Sequence, residues 1–165
     1  MGAFRRTVLV GALAGMAGKE VMNRVTAALA EYQSEESRAE EARLAGGFEM
    51  PAARLLQQNA ARVGLDLDAA QANRYGRWLD YGLAGGGGVA AALLVRGGVS
   101  PCTSGLVVGS AMWAAGDELL GAVGEEAAAP QEWPVVTHIR SLTGRLAYGL
   151  TLSLFTTLFW PLLRR

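Results

Sequence analysis

The chain has 165 residues, half of them apolar, and its 15 basic and 15 acidic residues cancel. That length suits one domain, and the neutral balance excludes both the basic field that would attract nucleic acid and a solvating acidic tail. A single cysteine, Cys102, excludes an internal disulfide and a cysteine-built zinc site, and a single histidine, His138, excludes a multi-histidine metal centre.

The charges are unevenly placed. None falls in residues 7–18, 81–95, 97–116 or 146–163. A membrane span needs about 20 mostly apolar residues. The third and fourth runs meet that alone. The second does so once Trp78 and Leu79 are added, and the first only if Lys19, Glu20, Asn23 and Arg24 are tolerated in or at the end of the span. The expectation is therefore an all-α, four-span transmembrane bundle forming one integral membrane domain over 1–165. Its spans fall at 7–28, 78–96, 101–121 and 145–163, with a polar to amphipathic helical loop over 31–76.

Arg5-Arg6, the apolar run after them and Gly15-Met16-Ala17 have the outline of a secretory signal. The apolar pattern continues past it as a helix, which favours a span. Residues 7–44 read as one helix, apolar first and then polar all round over 31–43, a face expected to be solvated. Gly46-Gly47 should stop it. Met50-Pro51 restarts a helix, with Pro51 suited to the first turn. Leu55, Leu56 and Val63 among Arg54, Gln57, Gln58 and Arg62 make it amphipathic, able to lie on a membrane or cap the bundle. Asp68 and Gln71 have capping-box spacing. The helix they start carries Tyr75, Arg77, Trp78, Asp80 and Tyr81 into the second span, and aromatic residues there match an interfacial belt.

Residues 96–101 predict a tight turn. Residues 125–133 predict a loop, with helix resuming near Val136. Four spans put both termini on one side. Arg5-Arg6 and Arg164-Arg165 place that side in the cytoplasm of a cell inner membrane by the positive-inside rule, although Arg74, Arg77, Arg140 and Arg145 lie near the opposite ends.

An offset of 98 aligns Val10, Gly11, Ala17, Gly18 and Glu20 with Val108, Gly109, Ala115, Gly116 and Glu118, and Tyr-Gly-Leu occurs at both 81–83 and 148–150. Two parallel two-helix repeats are the expectation. The pairs Gly11/Gly15, Gly82/Gly86 and Gly105/Gly109 have the spacing that lets helix backbones approach closely. If the stripes on the first and third spans face each other, Lys19 meets Asp117, and Glu20 and Glu118 are left to Arg24, Arg77 and Arg145. The candidate site is this intramembrane charged cluster: Lys19, Glu20, Arg24, Arg77, Asp80, Asp117, Glu118 and Arg145. A charge at the bilayer centre costs at least about 2.5–3.5 kcal/mol on insertion scales, so these groups should be paired or near an interface.

Gly85–Gly88 lacks the Lys-Ser/Thr of a phosphate loop and reads as close packing. Ser104, Ser110 and Ser141 form no convincing constellation with His138, so no enzyme, catalytic residue, metal or cofactor is expected. His138 reads as an interfacial polar residue, and Trp113 and Trp160 as packing or interface residues.

The small-residue first span, the G-x-x-x-W-x-x-x-D-E run at Gly109, Trp113, Asp117 and Glu118, the Leu120-Gly121 after it and Leu146-Ala147-Tyr148-Gly149 together resemble the YagU-like family of bacterial inner-membrane proteins. The resemblance implies a multi-spanning protein of uncharacterised function. The chain departs from that family where histidines precede the second and fourth spans, having Asn73/Arg74 and Gly144/Arg145 there, so the resemblance does not carry over a histidine-based proton or metal role. Two functions are expected from the residues. One is a structural or accessory membrane component, in lipid and as a homo-oligomer or complex subunit. The other is a small transporter or channel for a proton, ion or solute lined by the acidic and basic residues.

Overall fold

The computed structural model describes residues 2–49, 51–115, 130–159 and 161. Among them there is no strand, and six helices account for the fold: α1 Ala3–Glu31, α2 Glu35–Ala45, α3 Pro51–Arg62, α4 Ala69–Arg96, α5 Pro101–Met112 and α6 Val135–Leu158.

The helix ends follow from local chemistry. The expected single helix over 7–44 is in fact two. The chain breaks at 32–34, where Ser34 is extended and its side chain accepts a hydrogen bond from the Ser37 amide. An N-cap serine satisfies an amide that a helix start leaves orphaned, and Glu35 and Glu36 in the first turn suit the positive end of the dipole. Gly46, at φ 59°, ends α2 as expected, in a left-handed conformation that glycine adopts without a Cβ clash. The Asp68–Gln71 capping box is complete at the start of α4. Ser100 caps α5 with proline in its first turn, and a π-helical turn follows at 113–115. Helix resumes at Val135, close to the expected Val136.

The four longer apolar segments pack side by side, α1 and α5 each lying against both α4 and α6. Neighbours are antiparallel. On α1 and α4, Gly11 lies at Val89 and Gly15 at Ala84 and Gly85; on α5 and α6, Gly105 lies at Ser153 and Gly109 at Arg145. The core is made of small residues. Ala14, Ala84 and Ala91 are buried with Met22, Val108 and Leu152 around one aromatic ring, that of Tyr148. Tyr148 is fully buried, and its hydroxyl donates to the Ala84 carbonyl. A Cβ on Gly18 would lie 2.8 Å from the Tyr148 ring, and one on Gly87 would lie 2.6 Å from its hydroxyl, so two glycines make the space the ring fills.

The outer surface inverts this pattern. Leu9, Leu13 and Met16 of α1, Leu83 and Leu93 of α4, Val107 of α5 and Leu150, Leu154 and Leu158 of α6 are all exposed. Polarity is concentrated at one end, where α1 finishes, α4 and α6 begin, and α2 and α3 form a cap. There α3 packs on α4, with Ala53 against Gly76. The buried face of the amphipathic α3, with Ala53 and Ala60, therefore lies against the bundle. The second polar helix is also less solvated than expected. Arg140 of α6 donates to the Gln33 side chain and, at 2.9 Å, to Glu41, which also accepts from Thr137.

Among the described residues one helix, α4, is long and apolar enough to cross a membrane. The others depart for visible reasons. The long α1 carries Lys19, Glu20 and Arg24, α5 is described over 12 residues, and α6 carries Arg140, Arg145 and many hydroxyls. Those hydroxyls are bonded within the helix: Thr151 to Ala147, Ser153 to Gly149, Thr156 to Leu152 and Thr157 to Ser153, at 2.7–2.9 Å. Such back-bonding hides a hydroxyl from its surroundings while leaving it polar on a hydropathy scale.

Candidate functional site

The stripe Gly11, Gly15, Gly18 along α1 lets two different helices approach. Gly11 and Gly15 meet α4, where a Cβ on Gly11 would lie 2.6 Å from the Val89 Cα, and Gly18 meets Tyr148 of α6. The expected pairing of this stripe with Gly105/Gly109 does not occur. Those glycines pack on α6 instead, where a Cβ on Gly109 would lie 2.6 Å from the Arg145 carbonyl. The stripes identify which face of each helix is close-packed, and either partner helix satisfies them equally.

The α4 glycines are shifted from the expected pair. Gly85, Gly87 and Gly88 are the ones that meet neighbours, as close packing at 85–88 required. Gly82 and Gly86 face outward, and a Cβ added at either would meet nothing within 4 Å. The face turned to α1 runs through Asp80, Ala84 and Gly88, and two residues of helix rotation, about 200°, carry Gly82 and Gly86 to the opposite side.

One step beyond Gly15 along the same face is Lys19, and one step beyond Ala84 is Asp80. The two meet in an ion pair whose side chains are 8% and 16% exposed. Lys19 therefore pairs with Asp80; the expected contact with Asp117 falls outside the described residues, as do Asp117 and Glu118 themselves. Beside this pair, on the exposed side of the same seam, the Tyr81 hydroxyl donates to Glu20. Glu20 is thus engaged by a residue of the Tyr-Gly-Leu motif, where Arg24, Arg77 and Arg145 were the expected partners. Arg77 turns outward to Glu49 at 2.8 Å and joins the cap. Arg24 is exposed, and Arg145 lies on α6, its carbonyl at the α5 seam.

Of the expected cluster the fold brings together Lys19, Asp80 and Glu20, and adds Tyr81. Asp80 is three residues from the cap-bound Arg77, roughly 4.5 Å along the helix axis, and about 24 Å from Arg96 at 1.5 Å per residue. The pair lies one turn inside the polar cap, with an uncharged stretch of helix between it and the far end. In the interior such a pair recovers its desolvation only with good geometry and further hydrogen bonds, and what it supplies most surely is register, because sliding either helix separates the charges.

The residue the sequence did not single out is Tyr148. Its motif recurs at Tyr81, which differs in being at the surface, so the motif alone does not separate a core tyrosine from an exposed one. The separating signal is the pair of glycines, Gly18 and Gly87, on other helices.

No protein-family model, curated protein or solved structure matches this chain.

Proposed function

We propose that this chain is a non-enzymatic, multi-spanning integral membrane protein of the bacterial inner membrane, with spans that include α1, α4, α5 and α6. We place it with the YagU-like proteins it resembles. It acts as a structural or accessory component whose buried Lys19–Asp80 pair fixes the register of its helices. The observation that supports this reading is the inverted distribution of side-chain size, with glycine and alanine inside and leucine, valine and phenylalanine outside. In water large apolar side chains are driven inward; in lipid that drive is absent, and close backbone packing of small residues takes its place. The back-bonded hydroxyls of α6 and the paired charges suit the same solvent.

The termini and the Arg96 turn belong to the cytoplasmic side. Cys102, exposed in the first turn of α5 beside that turn, reports it directly as the single thiol of the chain. The protein should stay in the membrane fraction through alkaline carbonate, and a membrane-impermeant maleimide should label Cys102 in inverted vesicles and leave it unlabelled in intact spheroplasts. Release by carbonate would overturn the membrane reading, and the opposite labelling pattern would reverse the orientation. Association of copies through the outward Gly82/Gly86 face belongs to this reading, and a strictly monomeric mass in detergent would remove it.

A second reading, a small conduit for a proton, ion or solute, is favoured by one observation: an acid and a base held mostly out of solvent within the bundle. Liposomes carrying the wild type and Asp80→Asn should then differ in flux; equal flux would sink it.

A further inference from the structure

We propose that the end of the bundle opposite the cap docks anionic phospholipid headgroups through Arg5, Arg6 and Arg96. This rests on the membrane reading above and names the lipid class that one face of the protein selects.

The two ends differ in the sign of their charge. All 15 acidic residues of the chain lie between Glu20 and Glu132, and none occurs in residues 1–19, 81–116 or 133–165. The far end, built from the start of α1, the α4–α5 turn, the start of α5 and the end of α6, therefore has no Asp or Glu, while Arg5 and Arg96 are exposed there. At the capped end arginines meet carboxylates: Arg77 meets Glu49 and Arg140 meets Glu41. A headgroup phosphate approaching that end competes with a built-in Asp or Glu; the segments that form the far end contain neither.

The fold also gathers the arginines of separate helices. Arg96, the last residue of α4, reaches across to the Thr7 hydroxyl of α1 at 3.5 Å, next in the chain to Arg6. A contact that long leaves the guanidinium its planar fork of donors, the geometry that binds phosphate oxygens two at a time. Phe4, exposed beside Arg5, lies at the same level and offers an apolar anchor at the acyl boundary. Arginine near an anionic leaflet contributes about 1 kcal/mol per residue, so removing two of the three should weaken binding about 30-fold.

The test uses the purified full-length protein in detergent, with native mass spectrometry reading retention of phosphatidylglycerol and of phosphatidylcholine with the same acyl chains. Wild type should retain phosphatidylglycerol preferentially. Arg5→Gln/Arg96→Gln should lose about 30-fold of that binding, the amount implied by two surface arginines. Arg24→Gln/Arg74→Gln, which removes two exposed arginines from the capped half, should change it less than about twofold. Arg5→Lys/Arg96→Lys keeps the charge and should stay within a few-fold of wild type, which separates lost binding from lost folding. Equal retention of the two lipids by wild type would overturn the proposal, as would equal losses in the two glutamine pairs. A carbonate-resistant protein without lipid preference sinks this inference alone, whereas release by carbonate sinks the membrane reading beneath it.

Discussion

Two glycine seams join the four apolar helices in pairs, and they are built on the same step. Between α1 and α4 the facing positions run Gly11 with Gly88, Gly15 with Ala84, then Lys19 with Asp80. Between α5 and α6 they run Gly105 with Ser153 and Gly109 with Gly149 and the Arg145 carbonyl, and one step on along each segment the residues are Trp113 and Arg145. Each seam brings two backbones together over two helical turns. The first then ends in a charge pair, while at the matching step the second has an aromatic residue and a cation. Small residues permit an approach and leave its register loose, since a slide by one turn offers another small residue. The Lys19–Asp80 pair removes that freedom from the first seam. In the second, the Ser153 hydroxyl lies beside Gly149 at Gly105 and reaches the Cys102 carbonyl of α5 at 3.4 Å.

The largest effect should follow from halving the charge pair. Lys19→Met leaves Asp80 mostly buried without its cation, and Asp80→Asn strands Lys19. Each should cost about 3–5 kcal/mol, the range for breaking a buried pair, measured as thermal or denaturant unfolding in detergent by circular dichroism. Lys19→Met/Asp80→Leu should recover most of the loss. A double variant as unstable as the singles would show that the pair supplies more than mutual neutralisation.

The two seams should respond alike to bulk. Gly15→Leu would drive a side chain into the Ala84 carbonyl and Gly109→Leu into that of Arg145. Backbone cannot move aside as a flexible side chain can, so each should destabilise by about 3 kcal/mol, the upper part of the overpacking range. Gly86→Leu, on the open face of α4, should fall within about 0.5 kcal/mol of wild type in the same measurement. If Gly86→Leu proved as harmful as Gly15→Leu, the outward face of α4 would be a packed surface in the working protein.

What the sequence revealed here follows from what a one-dimensional pattern can encode. Periodicity specifies a face, so the close-packed sides of α1 and α5 were legible from their glycines. It does not specify which neighbour that face meets, and Gly11/Gly15 were equally suited to Gly105/Gly109 or to α4. Depth is also one-dimensional. The sequence offers Lys19 more than one acid at a similar distance from a helix end, and only the arrangement of helices around the bundle brings Asp80 to it. The same ambiguity governs the repeat: identities align the first and third segments at an offset of 98, while the seams coincide at 94, one helical turn away. The helix break before Ser34 was hidden for another reason. Serine among glutamates reads as a solvated helix surface, and only tertiary contacts, Gln33 and Glu41 with Arg140, show why the chain turns there. The capping box at Asp68, the stop at Gly46 and the turn at 97–100 depend on neighbours in sequence alone, and they appeared where expected.

Tyr148 joins the two seams, since its ring rests on Gly18 of α1 and its hydroxyl on the Ala84 carbonyl of α4. Tyr148→Phe keeps the ring and loses one hydrogen bond, leaving a carbonyl that already serves its own helix. It should cost about 1 kcal/mol, well below either seam variant. Tyr81→Phe at the exposed copy of the motif should cost less, because water replaces the phenol at Glu20. Equal losses at the two tyrosines would mean that Glu20 is as far from water as Ala84.

The smallest effect belongs outside the bundle. On α2, Arg43 bonds Glu40 at 2.6 Å and holds its carboxyl below the ordinary value of 4.5. A carboxylate depressed in the folded state stabilises above its unfolded value, and the contribution disappears as pH falls through the folded one. Both side chains are open to solvent, so screening and rotamer entropy leave little of it, and Glu40→Gln should be nearly silent at pH 7. Titrating wild type and Glu40→Gln from pH 7 to pH 3 should bring their unfolding temperatures together from a small initial gap. A gap that widened on acidification would require Glu40 to be protonated more readily in the folded protein than in the unfolded chain, the reverse of what Arg43 imposes, and would place a second acid close against it.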